Sequence, residues 1–254
     1  MVIYREHKLA TALFILGFLG VLSIAPMIPS LLALQPEPLP MNIGTLQAIA
    51  ILQSSVLLAL MVLLGMVFTP KTGLSAPVIT AMLNRMPWAD TFKAQLLPAL
   101  IGGVAGGLLL VIFYSFSSGY LPPDFIRAGN AFAPPWYSRL LYGGITEEIL
   151  LRWGVMSFLV WASYRITQAK DAAIKNYNFV GAIILSSLLF GLLHLPVAFA
   201  LSPEINTFFI VYIVLGNATF GFIAGYLYWK WGLECAIVAH MLAHLTVIVL
   251  LAIT

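Results

Sequence analysis

Seven apolar runs, broken by polar or proline-rich segments, divide the chain near residues 9–34, 45–68, 96–117, 138–163, 178–200, 206–228 and 234–253. A helix crosses the hydrocarbon core of a bilayer with about 20 predominantly apolar residues, so each run is long enough. In lipid such a run must be helical, because only a helix or a closed barrel satisfies its own backbone polar groups. The breaks agree with this division. QPEPLPMN holds three prolines and cannot continue a helix. Residues 118–137 contain LPPDF and APPW, a proline-rich loop with aromatics suited to the headgroup region. Residues 69–95 are a longer mixed stretch, expected to form an amphipathic interfacial helix or a short re-entrant one. The pattern therefore predicts an all-α fold: a polytopic transmembrane helix bundle of about seven spans, or eight elements with that extra helix. It forms one integral-membrane domain over residues 1–254, without tandem repeats or an internal boundary.

Composition excludes the soluble alternative. The chain is 61% hydrophobic and 8% charged, with a mean hydropathy of +1.01. A soluble domain carries about 25% charged residues. The net charge of +3 does not point to nucleic acid, because the basic residues are scattered through loops. Cys235 is the single cysteine, which rules out an intramolecular disulfide and a cysteine metal cluster and leaves a packing role. The first apolar run follows a charged segment but is long and lacks an A-x-A site, so it reads as an uncleaved span.

Loop charges set the expected orientation. Arg5 and Lys8 precede the first span; Lys71, Arg85 and Lys93 follow the second; Arg165, Lys170 and Lys175 follow the fourth; Lys230 follows the sixth. The alternate loops hold only Arg127 and Arg139. Seven spans put the basic majority on one side, which the positive-inside rule makes cytoplasmic together with the N-terminus.

Ionisable residues inside apolar runs carry the functional signal, since a charge near a helix centre costs roughly 2.5–3.5 kcal/mol on insertion scales. The fourth span, GGITEEILLRWGVMSF, holds Glu147, Glu148 and Arg152. Glu148 and Arg152 stand four apart and form a structural ion pair on one face. Glu147 points about 100° away on an α-helix and needs a partner from another helix. Gly143 and Gly144 bare the backbone one turn earlier. In the fifth span Phe190 precedes His194 by four residues, so its ring can pack on the imidazole, and Pro196 follows. The seventh span carries His240 and His244 on one face. Asn217, Gly221 and Gly225 in the sixth form a small-residue packing seam, with Asn217 read as an interhelical hydrogen-bond partner. Proton-transferring groups on three helices, Glu147, His194, His240 and His244, are a costly way to obtain packing alone.

Peptide hydrolysis needs an activated water and donors for the oxyanion. Glu147 with His194 suits the first task, and His240 helped by His244 suits the second. Histidines at i and i+4 are also good zinc-ligand spacing, and His194 or Glu147 can complete such a site with one open position. The residues by themselves leave both mechanisms open.

Glu147-Glu148-x-x-x-Arg152, then Phe190-x-x-x-His194, then His240-x-x-x-His244, in this order on separate hydrophobic segments, resembles the CPBP family of CAAX proteases and bacteriocin-processing enzymes, also called Abi, which includes the type II CAAX prenyl endopeptidases. The resemblance covers about residues 143–246 and assigns the catalytic helices to 138–253. It implies an intramembrane endopeptidase in which Glu147 and His194 activate water and His240 supports the transition state. The implied substrate is a membrane-associated protein or peptide, including lipidated ones, with the bilayer as the other partner and no nucleic acid. No cofactor is required on the glutamate reading; the metal reading takes zinc on His194, His240, His244 and Glu147. The third motif departs from the family, which usually ends it in Asn or Asp where this chain has His244.

Glu147 near the start of its span and His194 near the end of the next fall toward the same face, with His240 and His244 near mid-depth. The expected site is a cavity sunk from one side, non-cytoplasmic by the charge count. Prenylated-CAAX processing occurs at the cytoplasmic face, so either the substrate or the orientation departs from the family expectation. Two other functions compete: a non-catalytic membrane scaffold or immunity protein, and a proton-coupled transporter. The transporter predicts ionisable groups and broken helices in both halves, whereas they sit only in the second half here.

Overall fold

The computed structural model describes residues 2–34, 41–132, 134–169 and 172–253. The QPEPLP part of the first break and Lys170 lie outside the described residues. Helix α1 (Val2–Ile24) continues through a 3-10 turn, Ala25–Met27, and a short helix, Ile28–Leu32, because Pro26 and Pro29 remove backbone donors. Helix α2 (Ile43–Thr72) starts at Asn42, whose side chain accepts the Thr45 N–H at 2.8 Å, and stops at Gly73 in a left-handed conformation (φ 76°). The mixed stretch that follows contributes its ends to α2 and α4 (Ala89–Ser117) and forms only the seven-residue α3 (Pro77–Leu83) between them. The carboxylate of Glu234 accepts the Ile79 N–H at 2.7 Å, which fixes α3 at the turn between the last two helices.

The proline-rich stretch is not all loop. Pro123 at a first-turn position and Asp124 beside it start helix α5 (Pro123–Ala131). A continuous helix, α6, then spans 136–167. The fifth predicted span divides at His194 into α7 (Asn176–Leu193) and α8 (Leu195–Leu201), with Pro196 in the first turn of α8. Helices α9 (Thr207–Trp231) and α10 (Leu233–Ile253) meet at Gly232 (φ 101°).

Among the described residues, six segments are long and apolar enough to cross a membrane: His7–Leu32, Ile43–Thr72, Ala89–Tyr120, Asn176–Leu201, Thr207–Trp231 and Leu233–Ala252. The seventh predicted span is α6, which differs from these in holding Glu147, Glu148 and Arg152. It can hold them because it lies inside the bundle, packed on α1, α2, α7, α9 and α10. Its buried stretch runs unbroken from Glu148 to Gly154. Side chains fasten it: Thr146 donates to Gly17 O (2.7 Å), Ser138 to Ser23 O (2.6 Å), and Trp153 to Val62 O (3.2 Å). Trp153 lies where a Cβ on Gly65 would stand. The outer helices show the reverse pattern, with Leu52, Leu63, Leu97 and Ile101 all exposed. An apolar exterior around a buried charged helix is the arrangement expected in lipid, and the chain is an integral membrane protein.

Helix α6 corrects one expectation. Arg139–Glu147 and Ile149–Met156 are wound as π-helix, wider than the α-helix assumed from the sequence. Such windings are rare and occur often at functional sites.

Candidate active site

The two adjacent glutamates of α6 face opposite surroundings. Glu148 is fully buried. One of its oxygens pairs with Arg152 Nε at 3.2 Å, and the other accepts from His240 Nδ1 at 2.8 Å. The ion pair with Arg152 follows the sequence spacing, but the bond to His240 does not; it crosses to α10 and no local pattern announces it. Arg152, also fully buried, donates to Gly221 O at 3.0 Å, and its guanidinium lies 5.2 Å from the centre of the Phe190 ring. Both buried ions are therefore paired with each other, although Arg152 Nη1 has no hydrogen-bond partner.

Glu147 instead lines a cavity of about 410 Å³, together with His194, Asn217, His240 and His244. The remaining wall is largely apolar, including Met27, Leu31, Phe132 and Val197. The cavity lies toward the end of the bundle where α1 finishes, α6 begins and α7 finishes, the common face expected from the sequence. The partner that Glu147 needs from another helix is His240, whose Nε2 stands 4.0 Å from the carboxylate.

The histidines are oriented by their other ring nitrogen. His194 Nδ1 donates to Phe190 O at 2.8 Å. A carbonyl can only accept, so Nδ1 carries the proton and the neutral ring keeps its lone pair on Nε2. Phe190 meets the ring edge-on at 4.7 Å, the contact anticipated from the four-residue spacing. His240 is held by Glu148 on Nδ1 and by the Phe220 ring at 4.4 Å. A carboxylate on one nitrogen fixes the tautomer and direction of the other, as in other imidazole sites. His244 stacks on His240 at 4.8 Å, and its buried Nε2 has no hydrogen-bond partner. A Cβ on Gly143 would lie 2.5 Å from that nitrogen, so the glycine is what lets the imidazole lie against α6.

Two readings change. Asn217 is not an interhelical bridge: its amide donates to Ile213 O on its own helix at 2.8 Å, and the side chain lines the cavity. The glycines beside it keep their packing role, Gly221 against Ser187 and Gly225 against Ile183. Arg139 and Tyr142 also line the cavity, although in the sequence Arg139 reads only as a loop charge. Among the described residues no group of three or more His, Cys, Asp or Glu side chains is placed to hold a metal ion.

Residues 129–246 match the family model described as type II CAAX prenyl endopeptidase Rce1-like. This segment, just under half of the chain, is similar to that family. It runs from the end of α5 to the middle of α10 and contains every side chain that lines the polar part of the cavity. The match is to a family of CAAX-type membrane proteases, in agreement with the resemblance carried by the three motifs. No curated protein and no solved structure matches the chain.

Proposed function

We propose that the chain is an intramembrane endopeptidase that hydrolyses a peptide bond of a membrane-associated, apolar or lipidated substrate, with Glu147 and His194 activating water. The observation that carries the reading is the division between the glutamates: Glu147 opens on the cavity beside the histidines, while Glu148 is sealed behind them. A water between the Glu147 carboxylate and His194 Nε2 loses a proton to Glu147 as its oxygen attacks the scissile carbonyl carbon. Glu147 then passes that proton to the departing amine nitrogen as the C–N bond breaks. The developing oxyanion needs donors. His240, oriented by Glu148 on Nδ1, turns its Nε2 edge to the cavity for this purpose, and His244 stacked on it gives second support. The apolar wall suits an acyl, prenyl or hydrophobic peptide group and keeps bulk water from the reaction.

The cavity end lies opposite the end bearing Lys71, Arg85, Lys93, Arg165 and Lys230. By the positive-inside rule the N-terminus is cytoplasmic and the cavity is reached from the other face.

The test compares protein N- and C-termini in membranes of cells carrying wild type or Glu147→Ala. A terminus present only with wild type is the expected outcome, and its position on the substrate reports the face of cleavage. Identical termini, with the variant equally abundant, would replace this reading with the non-catalytic scaffold.

A further inference from the structure

Lipid covers an apolar helix face as well as protein does, so the exposed leucines and valines of the outer helices require no partner. Gln53 does require one. It is exposed on α2, about 15 Å from the helix start at 1.5 Å per residue, and so within the hydrocarbon depth of this 30-residue helix. Its side-chain amide has no hydrogen-bond partner among the described residues. Neighbouring polar side chains on α2 are satisfied: Gln47 donates to Ala25 O at 3.0 Å, and Ser55 donates to Ile51 O at 2.6 Å. An amide facing lipid with its donors and acceptor unused carries a desolvation cost that only a partner removes.

The surroundings of Gln53 have the form of a helix contact. Ile49, Gln53, Val56, Leu60, Leu63 and Val67 follow one another at alternate spacings of four and three residues, and all six are exposed. This is the heptad seam of two helices crossing at a shallow left-handed angle, in which a single polar residue fixes the register. The opposite side of α2 packs on α1 and α6, which leaves the seam turned outward. No charge interrupts it: Lys71, beyond its end, has its ammonium drawn aside over the rings of Phe68 (5.0 Å) and Trp161 (5.6 Å). The exterior of α4, with Leu97, Ile101 and Leu108, is as apolar but holds no outward amide.

We propose that this face of α2 is the contact surface of a symmetric dimer, its occupant a second copy of this chain. Two copies in one bilayer share an orientation, so their α2 helices run parallel about a twofold axis along the membrane normal. Gln53 then meets its own counterpart at the same depth. Each amide is donor and acceptor at once, so the pair is self-complementary, each Nε2–H donating to the other Oε1. A different membrane protein would need a matching polar group at that depth and register, whereas a second copy supplies it by symmetry. The contact goes beyond the protease reading and does not rest on it.

Purified protein is reconstituted in phosphatidylcholine liposomes over a series of lipid-to-protein ratios. Energy transfer between donor- and acceptor-labelled copies, each carrying the dye on Met86→Cys in the loop before α4, measures association. Gln53→Leu keeps the face apolar and is expected to unfold at the wild-type midpoint while associating about 3–30-fold more weakly, the range of an interhelical amide pair. Gln53→Asn, which keeps a shorter amide, is expected to fall between. Under mild oxidation Val56→Cys is expected to cross-link to itself and Ile101→Cys, on the exposed face of α4, is not. Energy transfer no higher than chance proximity at every ratio overturns the proposal, as does association unchanged by Gln53→Leu or cross-linking as ready at Ile101→Cys as at Val56→Cys. A Gln53-dependent cross-link to a different protein in native membranes, with none between purified copies, assigns the face to that protein and overturns the dimer. None of these readouts involves cleavage, so failure of the protease reading is seen separately, in the termini comparison.

Discussion

Glu147 and Glu148 are adjacent in the chain and chemically identical, yet α6 delivers them to two different regions. Behind the helix, Glu148, Arg152 and His240 Nδ1 form a closed set of ion pair and hydrogen bond with no exposed surface on the glutamate or the arginine. In front, Glu147 stands at the edge of an apolar cavity with a histidine nitrogen 4.0 Å away. The rear group holds position because removing Glu148 or Arg152 strands the other's charge in a medium that cannot solvate it. The front group keeps unused capacity, which is what a reaction requires. Stability and chemistry are thus divided between neighbouring residues, and His240 belongs to both, fixed at the rear by one nitrogen and offered to the cavity by the other.

The largest effect expected from breaking this division is on turnover. Glu147→Gln keeps the shape but removes the proton acceptor, and a loss of about 10²–10⁴ in cleavage rate is expected with protein levels unchanged. Cleavage of a reporter substrate in membranes, normalised to immunoblot abundance, measures it. Next comes the rear group. Glu148→Ala leaves Arg152 buried without its carboxylate, a loss of about 3–5 kcal/mol. Thermal unfolding in detergent reads it as a lowered midpoint and reduced accumulation. Replacing both, Glu148→Gln with Arg152→Met, is expected to restore accumulation relative to Glu148→Ala, because no buried charge is then stranded.

Smaller effects sharpen the boundary between the regions. Gly143→Ala pushes a methyl group against His244, and overpacking of this kind costs about 1–3 kcal/mol. If His244 takes part in the front group, the variant slows cleavage more than it lowers the unfolding midpoint. Phe190→Leu removes the ring edge that meets His194 and the face beside Arg152, contacts of about 0.5–1.5 kcal/mol. A modest reduction in both turnover and stability is expected, since Phe190 touches both regions.

Much of this division was legible in the sequence. The Glu148–Arg152 spacing gives the ion pair, the Phe190–His194 spacing gives the ring contact, and the order of the spans gives the shared face of Glu147 and His194. These are local or topological relations, fixed by helix geometry and by antiparallel neighbours. Helix existence was equally legible, because lipid forces apolar runs of this length to be helical. The tie from Glu148 to His240 was not, since it joins residues 92 apart and depends on how α10 packs on α6. The π-winding of α6 was hidden for a related reason: hydropathy has no signature for an i→i+5 helix. Arg139 reads as a loop charge until the start of α6 is seen to line the cavity. Asn217 shows the opposite error, because its composition suggests a bridge between helices while its amide turns back to its own.

The central claim is that the front glutamate performs chemistry and the rear one maintains the scaffold. It is tested most directly by purifying Glu147→Ala and Glu148→Ala side by side and measuring unfolding midpoint and substrate cleavage on the same samples. The account predicts a Glu147→Ala protein that unfolds like wild type and does not cleave, and a Glu148→Ala protein that accumulates poorly and unfolds early. A Glu148→Ala protein as stable as wild type but inactive, beside a Glu147→Ala protein that still cleaves, would contradict it and exchange the two roles.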